Sequence, residues 1–164
     1  MHTTNALLKR TPVLAFIISG IVMVLDQWSK WWMVSDIMNP PYVLKITSFF
    51  NILLAMNKGV SFSLFQAGSK EGVWFLIILT SLIVLALLIW LFKTTDKFLH
   101  VALGLVMGGA IGNIIDRFKY GAVIDFLDFH WQAYHWPAFN IADTAITIGV
   151  GLIFLHSFKG EHRE

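Results

Sequence analysis

The sequence predicts an all-α polytopic membrane protein: four transmembrane helices, joined by connections that hold short extracytoplasmic β-strands and an interfacial segment. Three observations carry this. The 164 residues are 57% hydrophobic and only 13% charged, about half the charge of a typical soluble domain. Apolar runs recur at lengths near the roughly 20 residues that span a hydrocarbon core of about 30 Å. Seven tryptophans and fourteen phenylalanines supply the amphipathic and bulky rings that favour the headgroup level. The length fits one membrane-embedded domain, residues 1–164.

The first helix is expected over about 12–34. Residues 12–25 alone resemble the apolar region of a signal peptide, but no small-x-small cleavage site follows. Instead the run continues through Asp26-Gln27-Trp28-Ser29-Lys30-Trp31-Trp32, so the helix is read as uncleaved with a tryptophan belt at its far end. The second helix, 73–92, has no charge and carries Trp74 and Trp90 near its ends. The third, 98–115, repeats Gly104, Gly108 and Gly112, with Gly109 beside them, a stripe that lets a neighbouring helix approach closely. The fourth, 141–158, carries Gly149 and Gly151, which suggest the same kind of contact.

Four spans place both termini on one side. Lys9, Arg10, Lys93, Lys97, Lys159 and Arg163 flank that side, in segments far shorter than those holding the other cations. The positive-inside rule then places the termini in the cytoplasm, and the two long connections, 35–72 and 116–140, outside. In the first, Tyr42–Ile46, Phe49–Met56 and Ser61–Phe65 read as strands between polar or glycine breaks. The second is crowded with aromatic residues and reads as a segment lying in the interface.

The chain has no cysteine, which excludes thiolate nucleophiles and cysteine metal sites. Its histidines show no zinc-ligand spacing, no G-x-S-x-G or phosphate-loop pattern is present, and no basic block suggests nucleic acid. No metal or other cofactor is expected. Ionisable residues at membrane depth are costly and mark function by default. Here they gather at the outward helix ends: Asp26 and Lys30, then Asn113, Asp116 and Arg117, then Asp125 and Asp128, then Asn140 and Asp143.

Asp26 and Lys30, spaced i, i+4, read most simply as a surface ion pair. Asn140 and Asp143, three residues apart after Pro137, fit a helix cap, so spacing leaves Asp143 evenly poised between cap and catalyst. Asp125 sits in an apolar frame, where a carboxylate has either a chemical task or a partner such as Arg117. A pair of carboxylates sharing one site cannot both ionise easily. The charged member can take a proton from water while the neutral one polarises a carbonyl, which is peptide hydrolysis without a covalent intermediate.

Five ordered motifs give this chemistry a family. Asp26-Gln27-Trp28-Ser29-Lys30 matches D-Q-x-S-K, and Asn57-Lys58-Gly59-Val60-Ser61-Phe62-Ser63 resembles N-x-G-x-A-F-S. Gly108 to Arg117 matches G-G-A-x-G-N-x-x-D-R; Gly121 to Phe126 resembles G-x-V-V-D-F; Pro137 to Asp143 matches P-x-F-N-x-A-D. In order and spacing these resemble the bacterial lipoprotein signal peptidases, or signal peptidase II. The resemblance implies an aspartyl endopeptidase of the cytoplasmic membrane that cleaves lipid-modified prolipoproteins just before the diacylglyceryl-bearing cysteine, and that globomycin inhibits. It implies Asp125 and Asp143 as catalytic, and Asp26, Asn57, Asn113, Arg117 and Asn140 as substrate-binding or site-supporting. It also implies four helices with a small extracytoplasmic β-sheet and an interfacial helix. Ser61 in place of alanine and Ile124 in place of valine depart from the pattern outside the catalytic pair, and bear on the details of substrate fit.

Two other classes compete. A transporter would place charges at the midplane and break helices in corresponding halves, whereas here the charges sit at one face and the second helix has none. An assembly protein would use the aspartates only as caps and ion pairs.

Overall fold

The computed structural model describes residues 12–37, 41–59 and 69–161. Four helices dominate: α1 (Val13–Trp32), α2 (Lys70–Lys93), α3 (Lys97–Tyr120) and α4 (Ile141–Glu161). Each is long and apolar enough to cross a membrane. A wider π-helical turn, Met33–Ile37, prolongs α1. Four short strands, β1 (Leu44–Lys45), β2 (Phe50–Asn57), β3 (Val123–Trp131) and β4 (Tyr134–His135), form an antiparallel sheet in that order.

The glycine stripe makes α3 the central helix. A Cβ at Gly104 would lie 2.7 Å from the Ala15 carbonyl oxygen, and one at Gly108 would lie 2.6 Å from that of Ser19. Only glycine lets the α1 backbone come so near. On the other side of α3, Gly109 packs against the Ala142 carbonyl, and Gly149 of α4 returns the contact against Ala102. α1 presents Ala15, Ser19, Val22, Asp26 and Ser29 as its buried seam, the 3–4 spacing of a helix face. As a result 67% of the α3 span is buried, against 11% of α2. The second helix shows Ile78, Leu82, Leu85 and Ile89 on its surface, a face that requires lipid rather than water around it. Gly151 meets nothing within 4 Å, so it makes none of the close helix contact expected of it.

Helix ends follow local chemistry. The Ser69 hydroxyl caps α2 by accepting from the Gly72 N–H at 3.1 Å, and the Asp96 carboxylate caps α3 by accepting from Phe98 at 2.7 Å. α3 runs five residues past its expected end and stops at Gly121, whose φ of +67° is the left-handed turn that favours glycine.

The connection at 116–140 takes regular structure. Its first residues finish α3, and Val123–Trp131 is a strand paired to both β2 and β4. Val123, Ile124, Asp125 and Phe126 are all buried, so the strand lacks the alternation that would have marked it. Between the strands and the helix ends, Met33, Ile124 and Phe126 form a second core with Ile52, Leu54 and Ile141. Of the strands expected in 35–72, the first shrinks to Leu44–Lys45, the second is β2, and Ser61–Phe65 lies outside the described residues.

Candidate active site

The sheet closes one end of the bundle, and it brings β3 against the start of α4. The β2–β3 register explains how Asp125 is presented. Phe50, Asn51 and Ile52 pair with Phe129, Asp128 and Leu127, but Ala55, Met56 and Asn57 pair with Asp125, Ile124 and Val123. One extra residue therefore sits on β2 opposite Phe126, a bulge immediately beside Asp125. Beyond it, Asn57 is the diagonal neighbour of Asp125 on one face, and its amide donates to Asp125 Oδ2 at 2.9 Å.

The start of α4 supplies the second carboxylate. Asn140 and Asp143 form a reciprocal cap: the Asp143 N–H donates to Asn140 Oδ1 at 2.9 Å, and the Asn140 N–H to Asp143 Oδ2 at 3.3 Å. The Asn140 amide then donates across to Asp125 Oδ1 at 2.7 Å. One asparagine thus holds both aspartates, and the cap and the site are the same structure. From α3, the Asn113 amide donates to Asp143 Oδ1 at 2.8 Å.

Behind these lies a buried charge cluster that spacing alone misjudges. Asp26 and Lys30 are not a surface pair: they are 0% and 2% exposed. The packing of α3 over that face of α1 buries them. The Lys30 ammonium has three protons and three acceptors: Asp26 Oδ2 at 2.8 Å, Asp116 Oδ2 at 2.8 Å and Asn113 Oδ1 at 3.1 Å. Gln27 joins in, donating to Asp116 Oδ1 at 2.7 Å. The two carboxylates also reach forward. Asp26 Oδ1 accepts from the Ala142 N–H at 3.0 Å, and Asp116 Oδ2 from the Ile124 N–H at 3.1 Å. Each anchors the residue immediately before one candidate aspartate.

Arg117 donates to the Asn113 carbonyl at 3.3 Å and forms no ion pair with Asp116 or Asp125 among the described contacts. Lys30, Asp116 and Gln27 are the supporting residues that the predicted set lacked. The available signal was their place in the D-Q-x-S-K and D-R motifs. Asp128, three residues from Asp125 and so on the other face of β3, pairs with Asn51 and His135. Burial works against its charge, but those two partners hold its carboxyl below the usual range.

Asp125 is 1% exposed. Burial pushes its carboxyl up to about 6; hydrogen bonds from Asn57 and Asn140 restrain the rise, and the nearby Asp143 charge adds to it. Asp143 is half-buried and opens onto an apolar groove of about 480 Å³ lined by Trp136, Pro137, Phe139, Thr147 and Ile148. A dry carboxyl that favours its proton beside a second carboxylate facing an apolar groove is an arrangement suited to hydrolysis of a bound chain.

Spanning helices, a capping sheet and this carboxylate cluster define a multi-pass membrane enzyme. A family model described as Signal peptidase (SPase) II matches residues 18–159. The lipoprotein signal peptidase of Beijerinckia indica is 42% identical over 151 residues, covering 91% of this chain and 90% of that protein. That of Polynucleobacter necessarius is 47% identical over 139 residues, 83% of each. A bacterial membrane enzyme solved by the in meso method at 2.3 Å superposes with a TM-score of 0.78 at 32% identity, over 92% of this chain and 91% of its own. The chain belongs to the signal peptidase II family, whose members are aspartic-type peptidases of bacterial membranes.

Proposed function

We propose that Asp125 and Asp143 are the catalytic pair with which this signal peptidase II cuts the signal peptide from diacylglyceryl-modified prolipoproteins, just before the lipid-bearing cysteine. The observation that carries the reading is Asn140, which binds Asp125 through its amide at 2.7 Å while capping Asp143. Water placed between the two carboxylates is activated by the charged one, and the neutral one donates to the scissile carbonyl oxygen. The pair titrates as a unit, and in the free enzyme the buried Asp125 favours the shared proton below about pH 6.

Asn57, Asn113 and Asn140 orient the pair, and Asp26 acts through its hold on the start of α4. Arg117 faces the substrate or a lipid group. The groove beside Asp143 accepts an apolar part of the substrate, which enters laterally from the bilayer. Residues 1–164 work as one peptidase domain, with both termini cytoplasmic and the sheet end extracytoplasmic.

The test is cleavage of a lipidated prolipoprotein by the purified protein, read by mass spectrometry. The expected product begins at the lipidated cysteine, and globomycin, by occupying the pair, suppresses it. Cleavage elsewhere, or equal cleavage of the unlipidated precursor, would overturn the substrate assignment.

A further inference from the structure

A second cavity, of about 490 Å³, opens at the sheet end between the start of α2 and the end of α3. Lys58, Lys70 and Arg117 line it together with Val73, Trp74, Ile77, Phe118 and Tyr120. No carboxylate lines it among the described residues, and Glu71, on the same turn as Lys70, is exposed outside it. Neither lysine has an ion-pair partner among the described residues. Arg117 uses a donor on the Asn113 carbonyl, leaving others of its five. Two lysines without an acid among those walls call for an anion from outside the protein, and Arg117, whose charge also feels Asp143, Asp116 and Asp125, adds its remaining donors.

The surroundings say which anion. The cavity lies where two spanning helices reach the membrane surface, and Trp74 and Phe118, packed edge to face at 5.4 Å, are both more than half exposed beside it. Val73 and Ile77 continue its wall down α2 toward the hydrocarbon. A free anion would use only the cations. A lipid would use the whole wall, with its phosphate at the ring level and an acyl chain along α2. A choline headgroup would bring a further cation into a cationic opening, whereas a glycerol headgroup would not. We propose that this cavity seats the phosphodiester of an anionic bilayer phospholipid, held by Lys58, Lys70 and Arg117. Among the described contacts Lys58 and Lys70 make none of the hydrogen bonds around the aspartate pair, whereas Arg117 is shared with the proposed substrate site. The test therefore changes the two lysines and reads lipid binding, which can fail without the peptidase reading failing.

The test is mass spectrometry of the intact full chain, purified in detergent and titrated with phosphatidylglycerol. Parallel arms use phosphatidylcholine, diacylglycerol of the same chains, and inorganic phosphate. One phosphatidylglycerol should bind above the background of the other lipids, and inorganic phosphate should compete poorly. The double variant Lys58→Gln/Lys70→Gln should weaken that binding roughly 30-fold, at about the attraction usual for two lysines near an anionic headgroup. Its thermal unfolding should match the unsubstituted chain. Lys93→Gln/Lys97→Gln, at the opposite end of the bundle, should leave binding unchanged. Equal binding of phosphatidylglycerol by the Lys58/Lys70 variant overturns the proposal. So does equal binding of diacylglycerol, which would make the cavity merely apolar, or full competition by inorganic phosphate, which would make it a site for free anions.

Discussion

Asn140 is the residue on which the candidate site turns. It has no charge to contribute, yet its amide reaches Asp125 and its carbonyl oxygen caps the helix carrying Asp143. Asn140→Ala removes both at once, so kcat should fall about a hundredfold or more, the cost of a small misplacement of reacting groups, with little change in KM. A steady-state assay of prolipoprotein cleavage checks this. The Asp125 carboxyl makes a pH prediction. Its value of about 6 lies above the 3.8 of an ordinary aspartate, so the folded protein holds a proton that the unfolded chain has lost between those values. Two consequences follow with the same sign. The contribution of this group to stability falls as pH rises from about 4 to about 6 and is level above that. The kcat/KM of the free enzyme also falls with an apparent pKa near 6, as the pair loses its shared proton. A flat profile between pH 5 and 8 would contradict the assignment of that proton. At this scale the sequence was informative where a motif named the residue: the five motifs contain all seven predicted site residues, and hydrogen bonds link six of them directly into one cluster, which Asp26 joins through Lys30. It was uninformative about Lys30. An i, i+4 pair looks the same on a lipid-facing, a solvent-facing or a buried helix face, and only the approach of α3 decides which.

At the scale of elements, the buried ion cluster fastens four pieces of chain. Lys30 on α1 pairs with both Asp26 and Asp116, and those carboxylates fix the α4 start and the β3 start through Ala142 and Ile124. Lys30→Met leaves two carboxylates facing each other without a cation. It should destabilise the protein by about 3–5 kcal/mol, as removal of one partner of a buried pair does, measured by reversible unfolding in mixed micelles. Helix contact gives a paired prediction. Gly108→Val drives a side chain into the Ser19 backbone, where even a Cβ would stand 2.6 Å from the carbonyl oxygen, and should lower the unfolding midpoint sharply. Gly151→Ala, with open space around it, should leave the midpoint in place. The glycine period on α3 made this contact legible, because it is local in sequence and repeats on one face. The strand β3 was not legible. Its first residues are buried in succession between sheet and bundle, so the two-residue alternation that identifies a strand is lost, and its aromatic content spoke to a place at the interface rather than to strand structure.

For the molecule as a whole, the division of labour is between a lipid-facing bundle and a sheet that closes one end of it. α2 contributes little to the interior and shows most of its surface to lipid, while α3 is enclosed by its neighbours. Four spans give an even number of crossings, so the proposed topology predicts that reporters fused to either terminus respond as cytoplasmic and one inserted in the connection after Asn57 as extracytoplasmic. Accessibility labelling of single introduced cysteines, in a chain that has none of its own, checks the same point. Composition and run length were enough to count the spans, since the bilayer imposes length and polarity on each independently. They could not show how the sheet and the helix ends meet, because that meeting is made by Asn57, Asn113, Asn140 and Asp125, which are brought together from four separate segments. The central claim, that Asp125 and Asp143 together perform the hydrolysis, is tested most directly by cleavage of a diacylglyceryl-modified prolipoprotein by Asp125→Asn and Asp143→Asn, each purified in folded form. The account predicts that both lose cleavage while still binding the lipidated substrate; substantial residual cleavage by either variant would contradict it.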